Sequence, residues 1–357
     1  MRILSFQKIV NSQSTSVGIF LFFAICLLVK HNVSQAQISD YSNIIENVSE
    51  CVVSIVAMSQ TPQEQSSQAN TTFSRGTGIV LSDNGYIATN NHIVADANRY
   101  FVELNNSFVY EAELIGGDFS TDIAVLKIDI ANQQTCEFIN NVNELTIGEL
   151  VLGIGSPYSL PGSVSVGIVS NINRSLDTNG QSTDHVLYIQ TDLIINPGNS
   201  GGPVVNQESE IIGMNSATLQ NQTGSSGIAF AIPANVITRV SRQLIRDGVS
   251  RKGYIGVEVS PLPQTIQQIQ NLGLADRRGA LVSDVNINGP AYQAGVRAGD
   301  IILTVNRVVV QDDHNFRYMI SAQEAGSNIR LSLIRNGSFF STEVLIEGRL
   351  IENPNSN

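Results

Sequence analysis

Between about residue 38 and residue 247 the chain is a succession of short Val- and Ile-rich runs, each cut off by Gly, Asn, Ser or Asp. CVVSIVAM begins at Cys51, GTGIVLS at Gly76, GYIATN at Gly85, RYFVELN at Arg99 and DIAVLKI at Asp122. LVLGIGSP at Leu150, SVSVGIVSNI at Ser163, GPVVN at Gly202 and EIIGMNS at Glu210 continue the series. Their spacing of roughly 8–15 residues predicts an all-β barrel or sandwich pair rather than βαβ units. One helix is expected to close this domain. The segment 234–247, ANVITRVSRQLIRD, puts Val236, Ile237, Val240, Leu244 and Ile245 on one stripe, with Gly248 as C-cap. The polar stretch 60–70 reads as a mobile surface loop.

From Arg251 a second unit of about 100 residues follows, on the scale of one small domain. YIGVEVS and GALVSDVN read as strands, PAYQAG as a short helix and HNFRYMISAQ as a helix. NIRLSLIRNGSFFSTEVLIEG reads as a hairpin turning at Asn336-Gly337. No Walker loop, no strand-linked GxGxxG and no repeat is present.

Composition excludes several functions. The 20 Lys and Arg against 31 Asp and Glu leave a net charge of −11, the wrong sign for displacing counterions from nucleic acid. His31, His92, His185 and His314 are scattered, and Cys26, Cys51 and Cys136 form no CxxC, so neither a metal nor another cofactor is expected. Cys51 and Cys136 are open to two readings, one disulfide in an oxidising compartment or two free thiols.

Residues 17–29, VGIFLFFAICLLV, are thirteen apolar or small residues without a charge, preceded by Arg2 and Lys8. The run is short for a bilayer span, which needs roughly 17–25 residues, and suits a secretory signal ending near Ser34-Gln35-Ala36. An uncleaved signal anchor is the competing reading, and either one exports the rest of the chain.

The chemistry-bearing constellation is spread over three segments. Asn196-Pro197-Gly198-Asn199-Ser200-Gly201-Gly202 puts a serine on a tight turn where the amides of Gly198 and Ser200 are spaced to hold one oxyanion. His92 follows a strand at the position where a barrel presents a side chain to its cleft. Asp122 stands at the mouth of the apolar strand IAVLKI, where a carboxylate needs a partner and an imidazole N–H would serve. The order His, Asp, Ser is one of the known triad orders. Taken singly, each has a bland alternative: a hairpin turn, a structural histidine, and an aspartate capping its own backbone.

Together with RGTGIVLSDNGYIATNNHIV, STDIAVLKI, INPGNSGGPVVN, SGIAFAIP, LIRDGVSRKGYIGV and GPAYQAGVRAGDIILTVN, these features resemble the HtrA/Deg family of serine proteases. The likeness is greatest to the membrane-anchored DegS type with a single PDZ domain. The resemblance implies a mainly β chain, with a chymotrypsin-like double β-barrel protease domain followed by one PDZ domain. Its expected divisions are a signal or anchor at 1–36, the protease at 37–250, the PDZ domain at 251–350 and a tail at 351–357. It implies His92, Asp122 and Ser200 as the triad, with an oxyanion hole from the amides of Gly198 and Ser200. The substrate pocket would be walled by Ile195, Ile228, Ala229, Phe230 and Ala231, favouring a small aliphatic side chain over Arg or Lys. Tyr254, Ile255, Gly256 and Val257 match the PDZ loop that captures a peptide's C-terminal carboxylate. Arg174 matches a residue that senses the state of the PDZ domain. The segment 176–185 is slightly longer than in that type, and Ile93 and Pro203 stand where Val and Ala are common.

The family further implies a homotrimer in the bacterial periplasm, joined to the inner membrane through its amino-terminal segment. Its expected role is an envelope-stress endopeptidase that C-terminal peptides of outer-membrane proteins activate to cut a membrane-bound anti-sigma factor. A soluble periplasmic quality-control protease is the neighbouring alternative, and a non-catalytic peptide-binding scaffold the more distant one.

Overall fold

The computed structural model describes residues 40–61, 70–156, 162–178, 181–182, 185–221 and 224–351. A short helix, Ser42–Ser49, leads into the first closed barrel. That barrel comprises β1 (Val52–Thr61), β2 (Asn70–Val80), β3 (Tyr86–Thr89), β4 (Arg99–Glu103), β5 (Val109–Asp118) and β6 (Ile123–Lys127). Its strand order is β1-β2-β3-β6-β5-β4, antiparallel throughout.

The second barrel has strand order β11-β14-β13-β12-β7-β8. Its strands are β7 (Leu150–Gly155), β8 (Ser163–Arg174), β11 (Tyr188–Thr191), β12 (Pro203–Val205), β13 (Ile211–Asn221) and β14 (Gly224–Pro233). Between β8 and β11 lies a two-stranded ribbon of β9 (Asp177–Thr178) and β10 (Gln181–Ser182), which occupies the segment noted as longer than usual. Closure removes the sheet edges and lets alternate residues of every strand fill the interior. Val151, Val169, Ile189, Leu193, Val204 and Ile212 form the second barrel's core.

The helix 234–247 forms as its stripe predicts. Val236, Ile237, Val240 and Leu244 are fully buried, whereas Ile245 is half-buried at the edge of the stripe. Gly248 ends it in the left-handed conformation, its N–H bonded to Leu244 O.

In the second unit, β15 (Lys252–Tyr254) pairs with β22 (Glu347–Arg349). The remaining sheet runs β16-β17-β18-β20-β21, with β19 (Val308–Val309) attached to β18. Its members are β16 (Val257–Ser260), β17 (Ala280–Val285), β18 (Ile301–Val305), β20 (Asn328–Arg335) and β21 (Ser338–Leu345). Asn336 and Gly337 both have positive φ, as the tight hairpin turn between β20 and β21 demands. β16 is an edge strand, and helix Asp313–Ser321 packs beside it. The helix Ile266–Asn271 has no counterpart among the sequence expectations. Thr265 caps it, but only Ile269 is buried, so there is no hydrophobic period to read.

Among the described residues no helix is long and apolar enough to cross a membrane. The apolar run 17–29 and most of the polar stretch 60–70 lie outside them.

The open question about the thiols has an answer: Cys51 and Cys136 form a disulfide across a sequence separation of 85. It ties the residue before β1 to the connector between the barrels, where Glu137 O and Ile139 N bond to Ile211. Closing a loop of that size restrains the unfolded chain by roughly 4–5 kcal/mol in the chain-entropy model. Replacing Cys136 with Ser is expected to lower unfolding free energy by up to about that amount. Urea denaturation should show the same loss for the wild-type protein in reductant and none for the variant.

Candidate active site

Each candidate residue reaches the seam between the barrels on its own element. His92 lies in the single helical turn Asn91–Val94 that follows β3. Asp122 lies in the turn between β5 and β6 with φ +56°, an unusual conformation for a residue with a side chain. The surroundings hold it there: Asn91 N and Asn90 Nδ2 both donate to its carbonyl at 3.1 Å. Its carboxylate accepts His92 N at 2.9 Å, and Ser216 Oγ of β13 at 2.8 Å. The imidazole Nδ1 lies 2.9 Å from Oδ2. A carboxylate acceptor requires the proton on Nδ1, so Nε2 carries the lone pair. Burial alone would lower the pKa of His92, but the hydrogen bond and charge of Asp122 outweigh it and hold the imidazole above its ordinary 6.5. The His92 side chain is 51% exposed and the Asp122 side chain 22%, so the ring is open to a substrate while its partner is sheltered.

The aspartate that caps its own turn is Asp118, at the end of β5. Its Oδ1 accepts Ser120 N at 3.1 Å and Ser120 Oγ at 2.7 Å, and its Oδ2 accepts Thr121 Oγ1 at 2.8 Å. The same Oδ2 accepts the ammonium of Lys252 on β15, and the side chains of the pair are only 6% and 2% exposed. Burial by itself would raise the pKa of Asp118; Lys252, Ser120 and Thr121 together hold it below the ordinary carboxylate value.

Ser200 comes from the connection between β11 and β12. Asn199 N donates to Asn196 O at 3.0 Å, Gly201 N to Asn215 O at 2.9 Å and Gly202 N to Asn199 O at 3.0 Å. The amides of Gly198 and Ser200 donate to no group among the described residues, which leaves them free for an incoming oxyanion. Gly201 has φ +85°, and a Cβ there would collide with the carbonyl of Thr77. A Cβ on Gly76 would strike Ile93 and lie a tight 3.1 Å from the carbonyl of Ser200, so the serine's backbone lies close to the residue after His92. Among the described residues the Ser200 hydroxyl is not hydrogen-bonded to His92. Such a contact commonly tightens only with substrate in place.

Thr77, fully buried on β2, ties this loop to the first barrel. Its N–H donates to Ser200 O at 2.8 Å, its Oγ1 donates to Gly198 O at 2.7 Å, and Ser156 N donates to the same Oγ1 at 3.0 Å. Thr77 and Ser216 were missed in the sequence because nothing local distinguishes them. Asp118 did carry a signal, an Asp two and three residues before a Ser and a Thr.

The strand period divides the expected pocket wall. Ala229 and Ala231 belong to the barrel core, with Ile195 packed against it. Ile228 and Phe230 alternate onto the other face, where Phe230 meets Tyr188 edge to face at 6.2 Å. Arg174, at the end of β8, donates from Nε to Gln190 Oε1 at 3.1 Å. The neighbouring Ser175 makes the contact with the helix Asp313–Ser321, its Oγ 3.1 Å from His314 Nδ1. Tyr254, Ile255, Gly256 and Val257 line a cavity of about 270 Å³, with Phe316 and Ile320 among the other wall residues. Gly256 has φ +78°, and the amides of Ile255 and Gly256 donate to no group among the described residues.

A trypsin-like peptidase domain model matches residues 76–214 and a PDZ domain model matches residues 253–346. The chain is 38% identical over 273 residues to a probable periplasmic serine endoprotease DegP-like of Halomonas elongata, covering 76% of this chain and 56% of that protein. It is 33% identical over 351 residues to a protein of the same description from Pseudomonas fulva, covering 88% and 72% respectively. The chain thus spans little more than half the length of the Halomonas relative. Among solved structures, the HtrA-type protease AlgW with a tripeptide superposes with a TM-score of 0.72 at 31% identity, covering 89% of this chain and 99% of that one. A serine endoprotease from Yersinia pestis gives 0.59 at 33% identity, covering 87% and 98%.

Two outcomes are expected from this geometry. A base on His92 must be neutral, so kcat/KM should fall on the acid side with a midpoint above about 6.5. Asp122→Asn should move that midpoint down and lower kcat on the order of 10⁴-fold; pH–rate profiles of both proteins check this. Lys252→Met leaves a buried carboxylate unpaired and should destabilise by about 3–5 kcal/mol at neutral pH. Because the Asp118 pKa is depressed in the folded state, its contribution is present above the ordinary carboxylate range. It is lost as pH falls through the depressed value, so denaturation curves of variant and parent should converge in acid.

Proposed function

The chain belongs to the HtrA-type serine proteases, and on that footing we propose that it is a PDZ-regulated endopeptidase of the bacterial envelope. The observation that carries the reading is the His92–Asp122 pair, oriented beside a serine turn with two unengaged amides. Ser200 Oγ attacks the scissile carbonyl while His92 Nε2 takes its proton. Asp122 holds the ring and stabilises the imidazolium, and the Gly198 and Ser200 amides stabilise the oxyanion. His92 then protonates the leaving amine. Water enters, gives its proton to His92 and attacks the acyl ester, and Ser200 recovers its proton as the acid departs. By resemblance the pocket would be walled by Ile195, Ile228, Ala229, Phe230 and Ala231, of which strand alternation turns Ala229 and Ala231 toward the barrel core; none carries a charge, which favours a small aliphatic residue before the cut.

The PDZ unit would take a peptide as an added strand on β16, with its terminal carboxylate on the amides of Ile255 and Gly256 and its last side chain against Phe316 and Ile320. Arg174 would sense the state of the PDZ domain, a reading supported by its neighbour Ser175, which touches His314 of the helix Asp313–Ser321. The finer expectations carried by resemblance are activation by outer-membrane-protein C-termini and cleavage of a membrane-bound anti-sigma factor. Trimerisation and retention at the inner membrane by the segment 1–36 belong with them. A soluble quality-control protease is the second reading, favoured by the periplasmic description of the relatives.

Ser200→Ala should lower peptidase turnover on the order of 10⁶-fold. A serine-directed phosphonate should label the parent in the presence of a peptide ending in an apolar residue, and should not label the variant. Full turnover by the variant, or an unlabelled parent with peptide bound, would overturn the assignment.

A further inference from the structure

In the proposed reaction His92 protonates the leaving amine, so the residues after the cut must pass over the imidazole. The expected walls of the pocket for the residue before the cut, Ile195 and residues 228–231, all lie in the second barrel's part of the chain. His92 belongs to the first barrel, in the turn that follows β3. The chain leaving the serine therefore runs out over the first barrel.

A cavity of about 220 Å³ lies there, beside His92. β1 and β2 form one side of it, with Phe73 among their residues. The turn after β3 forms the other side with His92, Ile93 and Asp96. Phe73 turns its ring outward and is 54% exposed. Asp96 stands four residues after His92, about one helical turn on. Among the described residues no hydrogen bond or ion pair engages the Asp96 carboxylate. The nearest cation along the chain, Arg99, is held by Glu111 at 3.0 Å, and no lysine or arginine lines the cavity. The catalytic base thus borders a hollow that combines an open aromatic ring with an unengaged negative charge.

We propose that this hollow is a specificity site on the leaving side of the cut, taking a lysine or arginine within the first two residues after the scissile bond. A long basic side chain matches both features at once. Its methylene stem lies along the Phe73 ring while its charged head meets Asp96. An acidic side chain would face a like charge, and a short one would reach neither group. The volume falls below the roughly 300 Å³ at which ligand pockets begin, so the hollow suits a single side chain. Such a site deepens the proteolytic reading, on which it rests: the preferred substrate carries a small aliphatic residue before the cut and a basic one just after it.

The test uses the full chain with an activating peptide that ends in an apolar residue. Its substrates carry Val before the cut and differ only at the first or second residue after it, which is Lys, norleucine, Ala or Glu. Mass spectrometry of the products fixes the bond cut. At low ionic strength kcat/KM is expected to be about tenfold higher with Lys than with Glu, and about threefold higher than with norleucine. The advantage of Lys over norleucine should shrink in about 0.5 M salt. Asp96→Asn should bring Lys and norleucine together, Asp96→Arg should favour Glu over Lys, and Phe73→Ala should lower norleucine to the level of Ala. Ratios taken within one variant cancel any general change in turnover. Equal kcat/KM for Lys and Glu in the parent, or a preference undiminished in Asp96→Asn, would overturn this inference alone. No cleavage of any substrate, together with no phosphonate adduct, would overturn the proteolytic reading and this inference with it.

Discussion

One carboxylate, that of Asp118, holds together the two halves of this molecule's chemistry. It fixes the turn through Ser120 and Thr121, and that turn delivers Asp122, four residues on, in its left-handed conformation. It also anchors Lys252, two residues before Tyr254, at the entrance to the PDZ loop. A buried ion pair is a poor source of net stability, since desolvation offsets much of the attraction. What it supplies is position. An apolar pair could slide along the barrel surface, whereas a lysine aimed at one oxygen sets where β15 starts.

The seam between the barrels follows the same logic with neutral groups. Thr77 reaches from the first barrel to the carbonyls of Gly198 and Ser200, so the serine turn of the second barrel is held by the first. Gly76 and Gly201 let the backbones approach that closely. The histidine and its carboxylate are both held from within the first barrel, apart from the hydroxyl that Ser216 contributes. The reacting groups are therefore placed from opposite sides of a cleft whose width is set by backbone contact.

Much of this was legible in the sequence. Short apolar runs cut by turn residues gave the strands, the stripe from Val236 to Leu244 gave the closing helix, and Asn336-Gly337 marked its hairpin. His92 and Asp122 meet as their order and surroundings imply. What escaped depends on long-range placement. Thr77 and Ser216 are ordinary strand residues until the fold sets them beside a distant backbone, and Lys252 is one lysine among polar neighbours. Ile245 shows the limit of a helical stripe, because its edge is decided by how closely the barrel wraps around it. The cysteine pairing also required the fold, since no spacing rule relates residues so far apart.

The disulfide constrains the order in which the chain matures. Cys51 is completely buried, and its partner follows the whole of the first barrel in the chain. An oxidant must therefore reach the thiol before that barrel finishes closing, yet the bond has no partner to join until residue 136 has been made and brought near. Oxidation and barrel closure are thereby kinetically interlocked, and a chain that folds ahead of its oxidant traps its own thiol out of reach.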